Sequence, residues 1–414
     1  MIRPVLFLLL PTLVASPSFA KDPAWTGWLG PDRNGWVEGF TPPQPWPEKL
    51  KPVWTVEVGT GYGSPLVSGG RVYQHARQGG EEVVWCLDLA DGRTIWRKSY
   101  PLPFEMGRGG ERHGKGPKSS PVLDGGRLFT LSITGVLSAW DAASGKLHWR
   151  RDFVKRFKTP HPNWGAATSP LVDADRIFVH LGTCEKGALL ALDVTNGKEI
   201  WSQDKHGHCY SSPLLVEIAG VRQVVEWNHH GLTAVDRGSG RILWEYPFPH
   251  RGSDQNMPTP AFHGGRILVG GENRGIRCVE ASQRDGKWSV TEKWRTREVA
   301  LNMATAVMNN GLLYGMSHFK TGQFFCLDPA NGEVRWKGPP RVGQNVMFLS
   351  LPGFVLALLD RGELQVIEAT PEAYRPVRKY RVAEGGTWAP PVLLPDSILV
   401  KDTRHLARWS LQLD

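Results

Sequence analysis

The stretch LLALDVTNGKEIW, residues 189–201, decides the fold: an apolar run, a turn built on Asp193 and Gly197, and a second run reaching Trp201. The same pattern recurs as CLDLADGRTIW (86–96), AWDAASGKLHW (139–149), AVDRGSGRILW (234–244) and CLDPANGEVRW (326–336). Two degenerate copies, CVEASQRDGKWSVTEKW (278–294) and VIEATPEAYRPVRKY (366–380), bring the total to seven. Each copy reads as a β-hairpin. The Asp side chain can accept from the turn backbone, the Gly takes a positive-φ position, and the flanking residues form two strands. An aromatic at one fixed place per hairpin indicates units that bury a flat ring against a neighbour.

Between the hairpins lie GYGSPLVSGGRVY (61–73), KSSPVLDGGRLF (118–129), ATSPLVDADRIF (167–178), YSSPLLVEIAGVRQVV (210–225), MPTPAFHGGRIL (257–268), MATAVMNNGLLY (303–314), VMFLSLPGFVLAL (346–358) and WAPPVLLPDSIL (388–399). Each of these eight segments reads as an inner strand, a turn and a second strand, so one unit has four strands. The last unit ends short, with HLARWSL (405–411) as its third strand, and PVWTVEV (52–58) supplies the missing fourth from the other end of the chain. The fold predicted is an all-β, eight-bladed β-propeller of four-stranded antiparallel blades, closed by the N-terminal strand pairing with the C-terminal blade. A spacing of about 45 residues per unit suits such blades, and closure removes the exposed sheet edge of an open array. Trp54, Trp96, Trp149, Trp201, Trp244, Trp294 and Trp336 are the expected blade-docking residues.

Composition agrees with a large β-rich globule: 414 residues, 18 Trp, 47 Gly, 32 Pro and 21% charged residues. Residues 1–20 combine Arg3, an apolar run and small residues Ser18 and Ala20, as a cleaved secretory signal does. Residues 21–51 hold four Trp among Pro and Gly and read as a strap on the ring wall, with a channel plug as the alternative. The propeller then covers residues 52–414. No later run is long enough for a membrane helix, and no Cys follows the signal where a lipid could attach. A periplasmic or secreted location and a monomer are expected. The net charge of +9 favours anionic partners, but the basic residues are scattered, which excludes a nucleic-acid-binding arm.

Cys86, Cys278 and Cys326 occupy a repeat position held by Ala139, Ala191, Ala234 and Val366 in the other copies. They are expected to be buried and too far apart to bridge. Cys184 and Cys209 fall in loops of adjacent blades, where a disulfide and two free thiols are both open.

The form AxDxxxGKxxW, matched in full at 139–149 and 191–201, resembles the tryptophan-docking motif of the pyrroloquinoline quinone (PQQ) propeller superfamily. The resemblance covers nearly the whole mature chain and implies eight blades. The superfamily includes quinoprotein alcohol dehydrogenases, which hold PQQ and Ca²⁺ over the channel, and non-catalytic members such as the propeller lipoprotein of outer-membrane β-barrel assembly. WTGWLGPDRNG (25–35) also looks like the opening of secreted PQQ-like repeat proteins. The adjacent Cys pair typical of the dehydrogenases is absent from the sequence, and GGEN (270–273) is a faint echo of a calcium-ligand segment, leaving Asn273 as the sole metal candidate on that comparison. The lipid-bearing Cys of the assembly lipoprotein is absent too.

A fold does not assign chemistry, so candidate sites come from non-repeating loop residues at the channel mouth. The ligand-binding candidates are His113, Lys115, Trp164, His208, His229, Asn256, Asn302, His318, Asn345 and Trp388, with His75, His161 and His180 placed in loops of the same face. They suit a cationic, aromatic funnel for an anionic or sugar-like ligand, or for a protein. KHGHC (205–209) with Cys184, His229 and His230 could ligate a transition metal, although its spacing is not a standard one. Ser64, Ser120, Ser169 and Ser212 precede Pro in inner strands and are repeat positions before they are nucleophiles. The functional expectation is a non-catalytic binding or scaffold module. The alternative is a small dehydrogenase using PQQ and Ca²⁺ with Asp254, Asp360 or Asp402 as the base.

Overall fold

The computed structural model describes residues 24–106, 110–157, 164–250 and 255–413. The expected signal peptide, His161 and Asp254 lie outside them. The described chain forms eight four-stranded sheets, all antiparallel, seven of them with their strands in sequence order. The first blade, for example, consists of Leu66–Ser68, Arg71–Gln78, Glu81–Asp88 and Thr94–Pro101. The eighth is completed from the other end of the chain, with Lys51–Glu57 pairing antiparallel to His405–Ser410.

The hairpin repeat has one structural consequence that recurs at every blade. The residue before each Trp is bulged out of the ladder: Ala191 faces Trp201 while Leu192 faces Glu199, so Ile200 has no partner. Equivalent shifts occur at Cys86/Leu87, Ala139/Trp140, Ala234/Val235, Cys278/Val279, Cys326/Leu327 and Val366/Ile367. The closing strand carries the same shift between Pro52 and Trp54, which marks it as the eighth copy in geometry as well as in order. A bulge adds local twist and turns the Trp toward the next blade. In the six hairpins that carry the Trp the residue opposite it is Ala or Cys, whereas Arg408 stands opposite Trp54; Cys86, Cys278 and Cys326 fill that place fully buried, as expected, and in three different blades.

Five of the docking rings lie over the turn glycine of the following blade. A Cβ on Gly92, Gly145, Gly197, Gly240 or Gly332 would come within 2.5 to 2.9 Å of Trp54, Trp96, Trp149, Trp201 or Trp294, respectively. These glycines also hold φ near +70°, so both steric space and backbone conformation call for Gly. Each of these rings donates its Nε1–H to a backbone carbonyl of the same neighbouring turn, as Trp149 does to Val194 O at 3.0 Å. Trp336 donates to Thr370 O at 2.8 Å in the degenerate seventh copy. Trp244 differs, because the hairpin it would meet carries an insertion, and it donates to Gln223 Oε1 of its own blade at 2.8 Å. Apolar cores therefore form between blades: Phe129, Leu131 and Trp149 pack with Ile177, Val179 and Leu190.

A belt of hydroxyl groups joins the inner strands around the channel. The backbone N–H groups of Ser64, Ser120, Ser169, Ser212 and Thr259 donate to the hydroxyls of Ser120, Ser169, Ser212, Thr259 and Thr305, each in the next blade, at 2.9 to 3.1 Å. The repeated Ser-Pro position is thereby a blade-to-blade link. The hydroxyls of Ser120, Ser169 and Ser212 accept these bonds, and that of Ser64 donates to Pro390 O at 2.9 Å.

The N-terminal strap enters the channel. Trp25 exchanges backbone hydrogen bonds with Val67 of the first blade, Leu123 N–H of the second donates to Thr26 O, and Ser350 of the seventh exchanges bonds with Gly35 and Val37. Between these anchors Arg33 is buried. Its guanidinium donates to the carbonyls of Pro170 (2.7 Å), Ser169 (3.0 Å) and Pro213 (3.3 Å). Residues 25–37 thus cross the inner-strand edges and close one end of the channel, whereas Phe40 and Trp46 pack beside Phe354.

Candidate functional site

What remains open is a cup of about 330 Å³ along the axis, floored by Trp28 and Leu29 of the strap and walled by Ser120, Ser169, Ser212 and Thr259. Its mouth is an aromatic arc supplied by the loops entering successive blades. Tyr62 and Trp388 stack with centroids 5.5 Å apart. His113 stands edge-on to Trp388 at 5.1 Å and to Trp164 at 6.5 Å, and Trp164 meets Tyr210 at 5.3 Å. Tyr62 Oη and His113 Nδ1 are 3.3 Å apart. The opposite wall is amide and thioether: Asn302, Met303, Asn345 and Met347.

Charge at the mouth is mostly positive. Arg112 and Lys118 line it, against Glu272 as the one acidic residue among the described lining residues. The Lys118 ammonium sits 4.1 Å from the centre of the Tyr62 ring and donates to Gly114 O at 3.0 Å. Burial lowers its pKa to about 7. Burial also lowers that of His113, with Lys118 and Arg112 acting in the same direction, so the imidazole is neutral at neutral pH.

Of the sequence-derived ligand candidates, His113, Trp164, Asn302, Asn345 and Trp388 line this cup. Lys115 lies in a separate groove, 3.1 Å from Glu105. Asn256 is fully buried in a structural network, donating to Asn228 O at 2.7 Å and accepting from Arg274 at 2.8 Å. His318 pairs with Asn273 at 3.0 Å. His208 is buried, 5.1 Å from His180, and His229 sits beside Cys184 and Cys209. Two histidines expected in loops are strand residues. His75, in Arg71–Gln78, is fully buried 2.8 Å from Glu82, and His180, in Arg176–Gly182, lies 2.5 Å from Glu226 of the next blade. Both strands are covered on both faces, so these histidines are buried with their neighbours, which a loop assignment could not foresee. Sequence reasoning missed Tyr62, Tyr210, Arg112 and Lys118. Their signal was position alone, in segments entering inner strands.

Of the carboxylates proposed for a quinone site, Asp254 lies outside the described residues, and Asp360 and Asp402 accept hydrogen bonds from nearby backbone. Asp360 accepts from Gln344 N–H at 3.2 Å, and Asp402 caps a turn by accepting from the backbone of Arg404 and His405 at 2.8 and 2.6 Å. Neither lines the cup, and Asn273 is taken by His318. A calcium-held quinone needs several oxygen donors on one point, and among the described cup-lining residues Glu272 is the one carboxylate.

A closed eight-bladed propeller with an aromatic cup defines the class of protein. Residues 80–338 match the family described as outer membrane protein assembly factor BamB, and the chain belongs to that family. The assembly factor of this name from Yersinia pestis is 26% identical over 226 residues, which cover 52% of this chain and 55% of that protein, so this chain spans about half its length. Among solved structures, BamB from Moraxella catarrhalis aligns with TM-score 0.64 at 12% identity, covering 88% of this chain and 98% of that one. The quinohemoprotein alcohol dehydrogenase from Comamonas testosteroni aligns with TM-score 0.69 at 13% identity, covering 95% and 81%. These structural likenesses concern the fold. No described helix is long and apolar enough to cross a membrane.

Proposed function

We propose that this protein is a non-catalytic binding module of outer-membrane protein assembly that works in the periplasm and receives an anionic segment of a protein partner in its aromatic cup. The observation that carries this reading is the cup itself, shut by the strap at one end and open at the other on Trp388, Tyr62, His113, Trp164 and Tyr210. Stacked rings offer area at low entropic cost, while Arg112 and Lys118 complement a carboxylate. The name of the related assembly factors supports the choice of partner class.

Site-specific photo-crosslinking tests it. A benzophenone side chain placed at Trp388 is expected to capture a component of the outer-membrane assembly machinery, while the same group at Val53, exposed on the ring exterior, captures none. Equal capture from both positions, or stoichiometric PQQ uptake with alcohol-dependent dye reduction, defeats the proposal.

The cup also implies a pH dependence. The Lys118 amine carries its proton below about pH 7 and loses it above, so an acidic, Phe-containing peptide is expected to bind several-fold more tightly at pH 6 than at pH 8. Lys118→Met flattens that dependence in isothermal titration. An unchanged pH profile in the variant rules out Lys118 as the anion contact.

A further inference from the structure

A second cluster lies beside the cup, at the junction of the third and fourth blades. Cys184 Sγ, Cys209 Sγ and a ring nitrogen of His229 all lie within 4.8 Å of one another, the one such group of three or more His, Cys, Asp or Glu side chains found among the described residues. Both cysteines are free thiols. The three donors come from three loops, which follow Arg176–Gly182, precede Leu214–Ile218 and follow Val221–Trp227.

Backbone contacts set these loops together. His208 N–H donates to Thr183 O at 2.8 Å, His229 N–H to Gly207 O at 3.2 Å, and Tyr210 N–H to Asn256 O at 3.2 Å. Gly207 makes the approach feasible, since a Cβ there would lie 1.8 Å from the Cys184 carbonyl oxygen. Cys209 is 1% exposed, and the ring centre of His250 lies 3.9 Å from that of His229.

Two thiolates and an imidazole form the donor set of tetrahedral zinc sites, with metal–ligand distances of about 2.3 Å to sulfur and about 2.0–2.1 Å to nitrogen. At those distances tetrahedral ligands stand roughly 3.5–3.8 Å apart, so donors within 4.8 Å of one another need to close by about 1.3 Å at most. We propose that Cys184, Cys209 and His229 form a site for a thiophilic divalent cation of the zinc type, with the fourth position facing His250. Binding would release both thiol protons to solvent, form two metal–sulfur bonds and one metal–nitrogen bond, and change no oxidation state.

The test uses the whole chain purified without oxygen or chelator, with free thiols counted first. Cobalt(II) titrated into metal-free protein is expected to give thiolate-to-cobalt charge-transfer absorption and intense tetrahedral visible bands, saturating at one equivalent and displaced by Zn²⁺. Cys184→Ser and Cys209→Ser are expected to abolish the charge-transfer band or cut it to half or less. His229→Ala should weaken cobalt binding at least tenfold while thermal unfolding shows the fold retained. Should a variant fail to fold, alkylation mapping of the unmodified chain decides: Zn²⁺ must protect Cys184 at least tenfold, and a chelator must restore its reactivity. Absence of the cobalt bands with all thiols reduced overturns the site. So does isolation from metal-replete, oxygen-free medium with Cys184 joined to Cys209 as a disulfide and no bound metal.

Discussion

Trp201→Ala is expected to destabilise the protein by about 3–5 kcal/mol, the usual range for removing a large buried aromatic. The ring is 9% exposed and packs between two blades. One face covers Gly240, whose added Cβ would meet it at 2.6 Å, and Phe178 lies 5.7 Å away at a tilt. Its Nε1–H donates to Arg237 O at 3.2 Å. Truncation leaves a slot that neither blade can fill, because the bulge and the positive-φ glycine fix both walls. Urea unfolding reads the loss, and hydrogen exchange should place the increased opening in Gly187–Asp193, Glu199–Gln203 and Gly231–Asp236. A loss below about 1 kcal/mol would show that the ring is not what docks these blades.

Glu82→Ala is the second large expectation, about 3 kcal/mol or more, from leaving several buried donors without an acceptor at about 1–3 kcal/mol each. Glu82 is completely buried. It accepts from Tyr100 Oη at 3.1 Å and from the backbone N–H of Ile133 in the second blade at 3.0 Å, and it lies 2.8 Å from His75 Nε2. Glu82→Gln keeps an acceptor oxygen and should lose roughly half as much. Urea unfolding of the two variants separates the outcomes: equal losses for Ala and Gln would mean that charge, and not acceptor count, is what the site needs.

These two residues differ in how plainly they could be read. Trp201 belongs to a repeat seen seven times, so its place was legible without coordinates. Glu82 follows Gly80 and another Glu in a stretch that reads as an exposed turn. Its burial arises because Glu81–Asp88 is covered on both faces by neighbouring blades. The cup was half legible. His113, Trp164, Asn302, Asn345 and Trp388 were found because loops entering inner strands must meet at one face. Tyr62 and Tyr210 adjoin the inner-strand repeat and looked like part of it. The strap was marked by its four Trp but its path was not legible, because its Arg33 is positioned by three carbonyls contributed by two distant segments.

By itself the sequence determined the number of blades, the hairpin at the outer edge of each, the docking rings and the closure by residues 52–58. Those features follow from interactions within one hairpin or between consecutive ones, and a periodic chain repeats them. Only the tertiary structure decided that the strap shuts one end of the channel, that His75 and His180 turn into the core, and that Cys184, Cys209 and His229 meet. Each depends on the ring bringing together loops from separate blades, a distance set by closure of the whole circle and not by spacing along the chain. The opening stretch LLALDVTNGKEIW therefore specifies a wall, while what the wall encloses is set by residues that do not repeat.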